Sequence, residues 1–436
     1  MAPSTQVPVA ATTDHDGAVH HDRAKAAARR GALARSNPNL SPDKLSIRGV
    51  VAELLSVANA EKALISLGVG DASSYQCFSE GKPFSGPLLE SVGAGRFDCY
   101  AHSFGFPAAR RAVAEYLSKG LKSGFCESDV FLTSGGTQAL QVTLTVLATP
   151  GCNVLLPRPG FPPYESFCEV YNIEARYYDL LPQRNWEIDL DQVRTLTDCN
   201  TMGLVVINPN NPCGAVYSPN HLHQIAETAG ELNIPIIADE TYGHMTYGGS
   251  KFVPMATFAN LASVITLGSL SKRFLVPGWR LGWLAIYDPL GTLKQVKVAT
   301  ELLMNVTSGP ASVIQAAVPD ILSDSHDQFH KKVLTVLENS ADILYGRIKQ
   351  IEALKCHSKP QGSMFMMVEV DTARLRGISN DMDFAKELMK EESVLVLPGT
   401  VLGMKNWVRI FFGTPADLLI DACDLIKSFC ERRLIS

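Results

Sequence analysis

The segment SLSKRFLVPGWRLGW, residues 269–283, has the clearest chemical potential in this sequence. Lys272 follows a short apolar run, and a lysine amine held at the end of a buried strand would have a lowered pKa and could form a Schiff base with a carbonyl. The alternative is an ordinary lysine whose ammonium reaches solvent. Arg280 could bind a phosphate beside such an amine, whereas a lone arginine more often pairs with a surface carboxylate.

A second segment, LTSGGTQALQ, offers further donors for a phosphate. They are Ser134, Gly135, Gly136, Thr137 and Gln138. Free backbone amides and the positive end of a helix would meet an anion there, although glycines also simply form turns. A cofactor that carries both an aldehyde and a phosphate would satisfy both segments, and pyridoxal phosphate has both groups.

A pyridinium ring needs a protonated nitrogen to withdraw electrons, and an aspartate beside that nitrogen keeps it protonated. The segment IPIIADETYG supplies Asp239 at the predicted end of a strand. Tyr242, three residues later, and Asn211 of INPNNPCG could reach the phenolic oxygen of the ring. Structural alternatives remain, because Asp239 could cap a helix and NPNNPCG could be an asparagine-rich turn.

Strands and helices alternate around these segments. The apolar runs typical of buried strands are DVFLTS, NVLLPR, GLVVINP, IPIIADE and VITLGS. The helical stretches TQALQVTLTVLA and SPNHLHQIAETAGELN lie between them, which predicts an α/β fold with a mostly parallel sheet. Ligands of such sheets bind at the carboxyl ends of the strands, where Asn208, Asp239 and Ser269 are expected to converge.

The sequence predicts four regions. They are a disordered tail (1–44), the N-terminal part of a small domain (45–85), a large cofactor-binding domain (86–320) and a C-terminal α+β small domain (321–436). The last region combines a long helical stretch from about residue 326, a helix near 383–392, and the strands GSMFMMVEV, SVLVLP and WVRIFFG. ISLGVGDAS, near residue 65, is expected to pack with these C-terminal elements.

Composition argues against several functional classes. Of the 436 residues, 46% are hydrophobic, and the formal charge of −5 is spread without long runs of one sign, so neither nucleic acid nor a membrane surface is an expected partner. The ten cysteines form no C-x-x-C pair and no zinc spacing, so no metal site is predicted. The N-terminus lacks a secretory apolar core. We expect a cytoplasmic protein that acts on a small molecule.

The motifs together resemble those of a known enzyme family. They are similar to the motifs of the fold-type I pyridoxal-phosphate aminotransferases, and within that family to those of the tyrosine and nicotianamine aminotransferase group. The motifs are SGGTQA, RPGFPPY, NPNNPCG, ADETYG and SLSKRFLVPGWRLGW. The resemblance covers the chain from about residue 45 to its end. It implies the fold of that family, a large domain with a mostly parallel sheet and a smaller α+β domain.

The resemblance also implies roles for the cofactor-binding residues. Lys272 resembles the Schiff-base lysine and Asp239 the partner of the pyridinium nitrogen. Tyr242 and Asn211 resemble the partners of the phenolic oxygen, and Phe161 stands where the family stacks an aromatic ring on the cofactor. The residues that fall where the family holds the phosphate are Gly136, Thr137, Ser269 and Arg280.

Three further residues concern the substrate and a partner subunit. Arg409, in NWVRIFFG, resembles the arginine that receives the substrate's α-carboxylate, a group suited to a bidentate guanidinium. Tyr100, in FDCYAHSFGFPAAR, resembles a tyrosine lent to the neighbouring active site, which implies a homodimer; without the resemblance it would be interpreted as a core aromatic. Phe365 could cover the substrate, although core packing is the commoner task of such a strand.

The implied reaction is a ping-pong transamination between an amino acid and a 2-oxo acid. L-Tyrosine with 2-oxoglutarate, giving 4-hydroxyphenylpyruvate and glutamate, is the expected pair. Nicotianamine transamination and carbon-sulfur lysis would use the same residues, so the motifs leave both open. A non-catalytic regulator is a further alternative, but such relatives usually add a DNA-binding module, for which the tail is too short and too aperiodic.

Overall fold

The computed structural model describes residues 46–435, and the predicted disordered tail at 1–44 lies outside the described residues. The α-helices are α1 (Ile47–Leu55), α2 (Gln76–Ser79), α3 (Ser85–Gly93), α4 (Pro107–Ser118), α5 (Gly136–Leu147), α6 (Pro163–Tyr171), α7 (Leu190–Leu196), α8 (Pro219–Glu231), α9 (Lys294–Thr307), α10 (Ser312–Ile321), α11 (Asp327–Ile348), α12 (Asp381–Glu392) and α13 (Ala416–Arg433). The β-strands are β1 (Ile65–Ser66), β2 (Val130–Thr133), β3 (Asn153–Arg158), β4 (Glu174–Leu181), β5 (Glu187–Ile188), β6 (Thr201–Ile207), β7 (Ile236–Asp239), β8 (Val264–Ser269), β9 (Gly282–Tyr287), β10 (Leu354–Lys355), β11 (Phe365–Val370), β12 (Val394–Leu395), β13 (Leu397–Pro398) and β14 (Trp407–Phe411).

The largest sheet has eight strands in the order β2-β9-β8-β7-β6-β3-β4-β5. The five strands from β8 to β4 are parallel to their neighbours, whereas β9 and β5 pair antiparallel. All seven residues of β6 are buried, as expected for a central strand covered on both faces. The predicted α/β fold with a mostly parallel sheet is confirmed.

Helix α8 shows how the sequence covers this sheet. Ser218 caps the helix by accepting a hydrogen bond from the backbone N–H of His221, and Pro219 occupies the first turn, where no intrahelical donor is needed. Leu222 and Ile225 are fully buried on the inner face. Burying each such side chain contributes about 1.5–3 kcal/mol relative to leaving it exposed. The apolar spacing therefore fixes which face of α8 meets the sheet.

Two smaller sheets lie outside the large one, and all of their strands except β1 come from the C-terminal part of the chain. Strands β10, β11, β14 and β13 make an antiparallel sheet in that order. Strand β1 pairs in parallel with β12, with Ile65 opposite Val394. The expected packing of the segment near residue 65 against C-terminal elements matches this pairing, while the domain boundaries at 85/86 and 320/321 stay a prediction.

A buried carboxylate orders the loop that leads into β14. Asp381, fully buried at the start of α12, accepts hydrogen bonds from the backbone N–H and hydroxyl of Thr400 at 2.7 and 2.8 Å and from the backbone N–H of Asn406 at 2.9 Å. Leaving such donors unpaired would cost about 1–3 kcal/mol each. Because Asn406 directly precedes β14, Asp381 helps to place the strand that carries Arg409.

Two further observations concern the helices and the cysteines. Within residues 46–435, no helix is both long enough and apolar enough to cross a membrane. All ten cysteines lie in this range and all are free thiols.

Candidate active site

One large cavity, of about 800 Å³, opens at the carboxyl ends of the parallel strands. The predicted site residues that line it are Thr137, Phe161, Asn211, Asp239, Tyr242, Lys272, Phe365 and Arg409. Helix α1 supplies the opposite wall. The fold therefore brings together residues that are far apart in the sequence, as the strand-end argument requires.

Lys272 lies in the loop after β8, with its amine held inside the cavity. Its Nζ donates a hydrogen bond to the carbonyl oxygen of Gly70 at 2.7 Å and lies 5.9 Å from the ring centroid of Tyr242. A Cβ atom at Gly70 would lie 2.4 Å from the Phe365 ring, so glycine is needed for this close approach. Burial lowers the pKa of Lys272 to about 8, opposed by the charge of Asp71. At pH 7 the amine is therefore mostly protonated, and roughly a tenth of it is a neutral nucleophile.

Asp239, the last residue of β7, places a buried carboxylate in the same cavity. It accepts hydrogen bonds from the backbone N–H of Thr241 and from the hydroxyl of Tyr164, both at 3.2 Å. Burial raises the pKa of Asp239, and these hydrogen bonds oppose that shift. Among the described residues no lysine or arginine forms an ion pair with it. The carboxylate is therefore held by hydrogen-bond donors but is not neutralised by a neighbouring cation. Such a group is suited to pair with a protonated ring nitrogen.

Arg409, on β14, is a buried cation that does not use all of its hydrogen-bond donors. Its Nη1 donates to the side-chain oxygen of Asn211 at 3.1 Å and its Nη2 to the carbonyl oxygen of Gly68 at 2.9 Å, while its guanidinium lies 4.1 Å from the ring centroid of Phe365. Burial lowers its pKa to about 10, so it stays charged at neutral pH. Its Nε has no hydrogen-bond partner in the described structure. Such an arginine is suited to a carboxylate ligand.

An anion cradle adjoins the cavity where α5 begins. Gly135 has φ of 81°, and a Cβ atom there would lie 2.3 Å from the Nη2 of Arg280, so the guanidinium packs directly on this turn. Arg280 also donates to the carbonyl oxygen of Ser134 at 3.3 Å. A Cβ atom on Gly136 would lie 3.8 Å from the hydroxyl of Ser269. The N-terminus of α5, the Arg280 guanidinium and the Ser269 hydroxyl thus lie close together. Groups of these kinds can bind a phosphate.

Two predicted residues lie elsewhere. The side-chain oxygen of Gln138 accepts the backbone N–H of Ser134 at 2.5 Å, so Gln138 stabilises the turn rather than lining the cavity. Tyr100 is 100% exposed, so its interpretation as a core aromatic is wrong. Its role at a neighbouring subunit stays a prediction.

Several residues of the site were not assigned from the sequence. Tyr164 stands in the RPGFPPY motif and Thr241 in ADETYG, so a motif signal existed for both. Gly70 stands in ISLGVGDAS, for which only packing against C-terminal elements was predicted, and Arg48 lies in no quoted motif, yet both line the cavity. The contact between Lys272 and Gly70 joins positions 202 residues apart, which only the fold could reveal.

Comparison with known proteins settles the family. Residues 91–426 match the family described as aminotransferase class I and II. The chain belongs to that family. Its members depend on pyridoxal phosphate, so this protein is a pyridoxal-phosphate-dependent aminotransferase.

The relatives of this aminotransferase carry more than one activity in their names. It is 47% identical to "Probable aminotransferase TAT2" of Arabidopsis thaliana over 89% of this chain and 95% of that one, and 44% identical to "Nicotianamine aminotransferase 1" of Oryza sativa over 96% and 85%. It is 39% identical to "S-alkyl-thiohydroximate lyase SUR1" of Arabidopsis thaliana over 89% and 85%. The solved tyrosine aminotransferase of Leishmania infantum superimposes with a TM-score of 0.87 at 30% identity, covering 92% of this chain and 99% of that one.

The lowered pKa of Lys272 predicts an unusual pH dependence for its amine. In the aminotransferase freed of cofactor, acetylation of Lys272 should reach half its plateau rate at a pH of about 8, compared with 10.5 for an ordinary lysine, because burial disfavours the ammonium form. Competitive labelling with acetic anhydride at a series of pH values, followed by mass spectrometry of the Lys272 peptide, measures the midpoint. A midpoint near 10 would show that the amine is fully solvated.

The hydrogen bond from Tyr164 to Asp239 predicts an effect on cofactor affinity. Tyr164→Phe removes a donor from the ionised carboxylate, and we expect the Kd for pyridoxamine phosphate to rise about 10-fold, since a hydrogen bond to a charged group contributes about 1.5–3 kcal/mol. Equilibrium dialysis measures this Kd without covalent capture by Lys272.

A matched control separates this effect from the loss of any buried phenol. Tyr178 is also fully buried, but its hydroxyl donates to the carbonyl oxygen of Val205. Tyr178→Phe should leave the Kd for pyridoxamine phosphate unchanged. Equal affinities for the parent and the Tyr164→Phe variant would contradict the role given to Tyr164.

Proposed function

We propose that this aminotransferase transfers the amino group of L-tyrosine to 2-oxoglutarate, giving 4-hydroxyphenylpyruvate and glutamate. The observation that carries this proposal is an apolar cavity wall next to a buried arginine that has no carboxylate partner among the described residues. The apolar side chains of the wall are Ile47, Val51, Leu55, Val69, Phe161 and Phe365. An aromatic side chain would bury a large area against them while Arg409 holds the α-carboxylate.

The contacts above support the cofactor-binding roles that the family resemblance implies. When bound, pyridoxal phosphate supplies an aldehyde that condenses with amines and a ring that withdraws electrons from the substrate's Cα. Lys272 would hold the aldehyde end and Asp239 the ring nitrogen. Tyr242 and Asn211 would donate to the phenolic oxygen, and Phe161 would cover one face of the ring. The phosphate would be held by Gly136, Thr137, Ser269 and Arg280, with Gln138 ordering the turn.

The chain's own groups then provide the acid-base chemistry. Arg409 fixes the substrate through its α-carboxylate, and its contact with Asn211 orients the guanidinium. Lys272, whose pKa is lowered to about 8 by burial, would accept the proton from the substrate's Cα and carry it on its Nζ. The carbonyl oxygen of Gly70, 2.7 Å from the amine, would accept a hydrogen bond from it whenever the amine is free of the cofactor. The second half-reaction repeats these steps in reverse with a 2-oxo acid on the same arginine.

A second copy of the chain is part of the proposal. Tyr100 is fully exposed, and Val298, Leu302 and Val306 are exposed by 56 to 81% at four-residue intervals along α9. One face of a helix that exposes this much apolar side chain is typical of a surface covered by a partner. A homodimer would cover it and would let each Tyr100 reach the neighbouring active site.

The homodimer predicts that charges on this face separate the subunits. The double variant Leu302→Asp with Val306→Asp should sediment as a monomer, because each carboxylate would be buried without a partner in the interface. Leu418→Asp, at an exposed position of α13, is the matched control and should sediment like the parent. Sedimentation velocity distinguishes these results, and a parent protein that is monomeric at micromolar concentration would refute the dimer.

The ten free thiols support the expected cytoplasmic location, since disulfides are rare in that reducing compartment. We retain this location as part of the proposal.

Two other reactions remain as alternatives because relatives carry their names. Nicotianamine transamination would bring a donor with several carboxylates against a wall that is mostly apolar, which the cavity favours less than an aromatic ring. Carbon-sulfur lysis would use Lys272 for the same proton removal and then expel a thiolate from Cβ. The products distinguish all three reactions.

Purified enzyme incubated with L-tyrosine and 2-oxoglutarate should form 4-hydroxyphenylpyruvate and glutamate in equal amounts, measured by liquid chromatography. Lys272→Ala should lower kcat at least about 10²-fold to 10⁴-fold, the usual contribution of a general acid-base group. Nicotianamine and a cysteine conjugate serve as competing substrates. If tyrosine gives no product while the cysteine conjugate yields a thiol and pyruvate, the lyase alternative replaces this proposal.

A further inference from the structure

The charged side chains of the cavity are not all used by the roles above. Those that line it are Arg48, Asp239, Lys272 and Arg409. Asp239 and Lys272 are assigned to the cofactor, and Arg409 to the carboxylate next to the reacting carbon. Arg48 is the charged residue that is left over among the described lining residues, and it lies on the apolar wall formed by α1.

Arg48 faces the cavity by helical geometry. Arg48, Val51, Ala52 and Leu55 follow the spacing i, i+3, i+4 and i+7, which places them on one face of α1, and all four line the cavity. The opposite face carries the buried core residues Val50 and Leu54. The single helix α1 therefore presents both apolar groups and a guanidinium to the same cavity.

Helix stability does not account for Arg48. It is exposed and forms no ion pair with any residue in the described range 46–435, whereas Glu53 on the same helix pairs with Lys386 at 2.6 Å. Arg48 occupies the first turn of α1, where a cation is disfavoured by about 0.3–1 kcal/mol because that end of a helix is electropositive. A cation in this position is better explained by a ligand.

We propose that Arg48 binds the distal carboxylate of the dicarboxylic 2-oxo acid that accepts the amino group. This inference rests on the proposed function, because it needs an acceptor such as 2-oxoglutarate in the cavity. Such an acceptor carries a carboxylate at each end, and Arg409 takes the one beside the carbonyl. The other carboxylate would meet an apolar wall and lose its hydration unless a cation received it.

The same helix then serves both substrates of the ping-pong cycle. An aromatic donor packs on Val51 and Leu55, and the flexible stem of Arg48 lets its charged end stay in solvent. A dicarboxylic acceptor draws the guanidinium onto its distal carboxylate, where a charge-assisted hydrogen bond forms. One cavity can thus accept an apolar and an anionic side chain without a second site.

Binding of unreactive analogues tests this inference directly on the holoenzyme. Glutarate carries two carboxylates, and 3-phenylpropanoate carries one carboxylate and an aromatic ring. Isothermal titration calorimetry should show that Arg48→Ala weakens glutarate binding about 10-fold to 100-fold, the usual contribution of a hydrogen bond between charged groups, and leaves 3-phenylpropanoate binding unchanged. Arg48→Lys should retain part of the glutarate affinity because it keeps the charge.

Kinetics with two acceptors provide the second measurement. For Arg48→Ala, kcat/KM should fall about 10-fold to 100-fold with 2-oxoglutarate and stay within about 2-fold of the parent with phenylpyruvate. The kcat/KM for L-tyrosine, which depends only on the first half-reaction, should not change. The matched control is Arg184→Ala. Arg184 is an exposed arginine that pairs with Glu187 and does not line the cavity, so this variant should behave like the parent with both acceptors.

The outcomes separate this inference from the function on which it rests. If the parent forms no 4-hydroxyphenylpyruvate, the proposed function fails, while the glutarate titration still decides whether Arg48 binds a distal carboxylate. If the parent is active but Arg48→Ala binds glutarate as tightly as the parent does, the inference on Arg48 is overturned and the function stands. Equal losses for glutarate and 3-phenylpropanoate would also overturn it, because they would indicate a damaged helix.

Discussion

The arrangement of this enzyme depends on two buried charges that are left without ionic partners inside one cavity. Asp239 and Arg409 are both withdrawn from water, and neither forms an ion pair with a described residue. Burying an unpaired charge is costly, so a fold keeps one only where a ligand or a hydrogen-bond network compensates for it. Hydrogen bonds from Tyr164 and Thr241 hold the carboxylate, and Asn211 and Gly68 hold the guanidinium. The negative charge of Asp239 would be balanced by a cationic ring nitrogen, and the positive charge of Arg409 by a substrate carboxylate.

Rigid and adjustable parts of the cavity come from different elements. The reactive groups lie at the ends of strands β7 and β8 and on β14, and the buried Asp381 fixes the loop before β14. Side chains on such elements are held more accurately than side chains on long loops. Helix α1 instead provides a mixed surface of apolar groups and one exposed arginine. Under the two proposals above, the sheet would carry the chemistry and α1 would govern the choice of substrate.

Much of the fold and of the site could be predicted from the sequence because its signals are local. Runs such as VITLGS and GLVVINP have the length and composition of buried strands, and they form β8 and β6. Lys272 and Asp239 follow strand ends, so the rule for open α/β sheets already placed them at one edge. The sequence also predicted that the segment near residue 65 packs with C-terminal elements, but not its register with β12, nor the hydrogen bond of Tyr164 to Asp239, because no local pattern encodes which distant atoms meet.

The sequence by itself determined the order of strands and helices and the kinds of reactive group, since these follow from apolar periodicity and from residue type. Only the tertiary structure decided that Gly70 accepts a hydrogen bond from the Lys272 amine, that Tyr100 lies outside the core of its own chain and that Arg48 lines the cavity. The physical reason is that hydrogen bonds, burial and pKa shifts depend on which atoms approach within a few ångströms. Those approaches arise between residues up to hundreds of positions apart, and they exist only once the sheet has assembled.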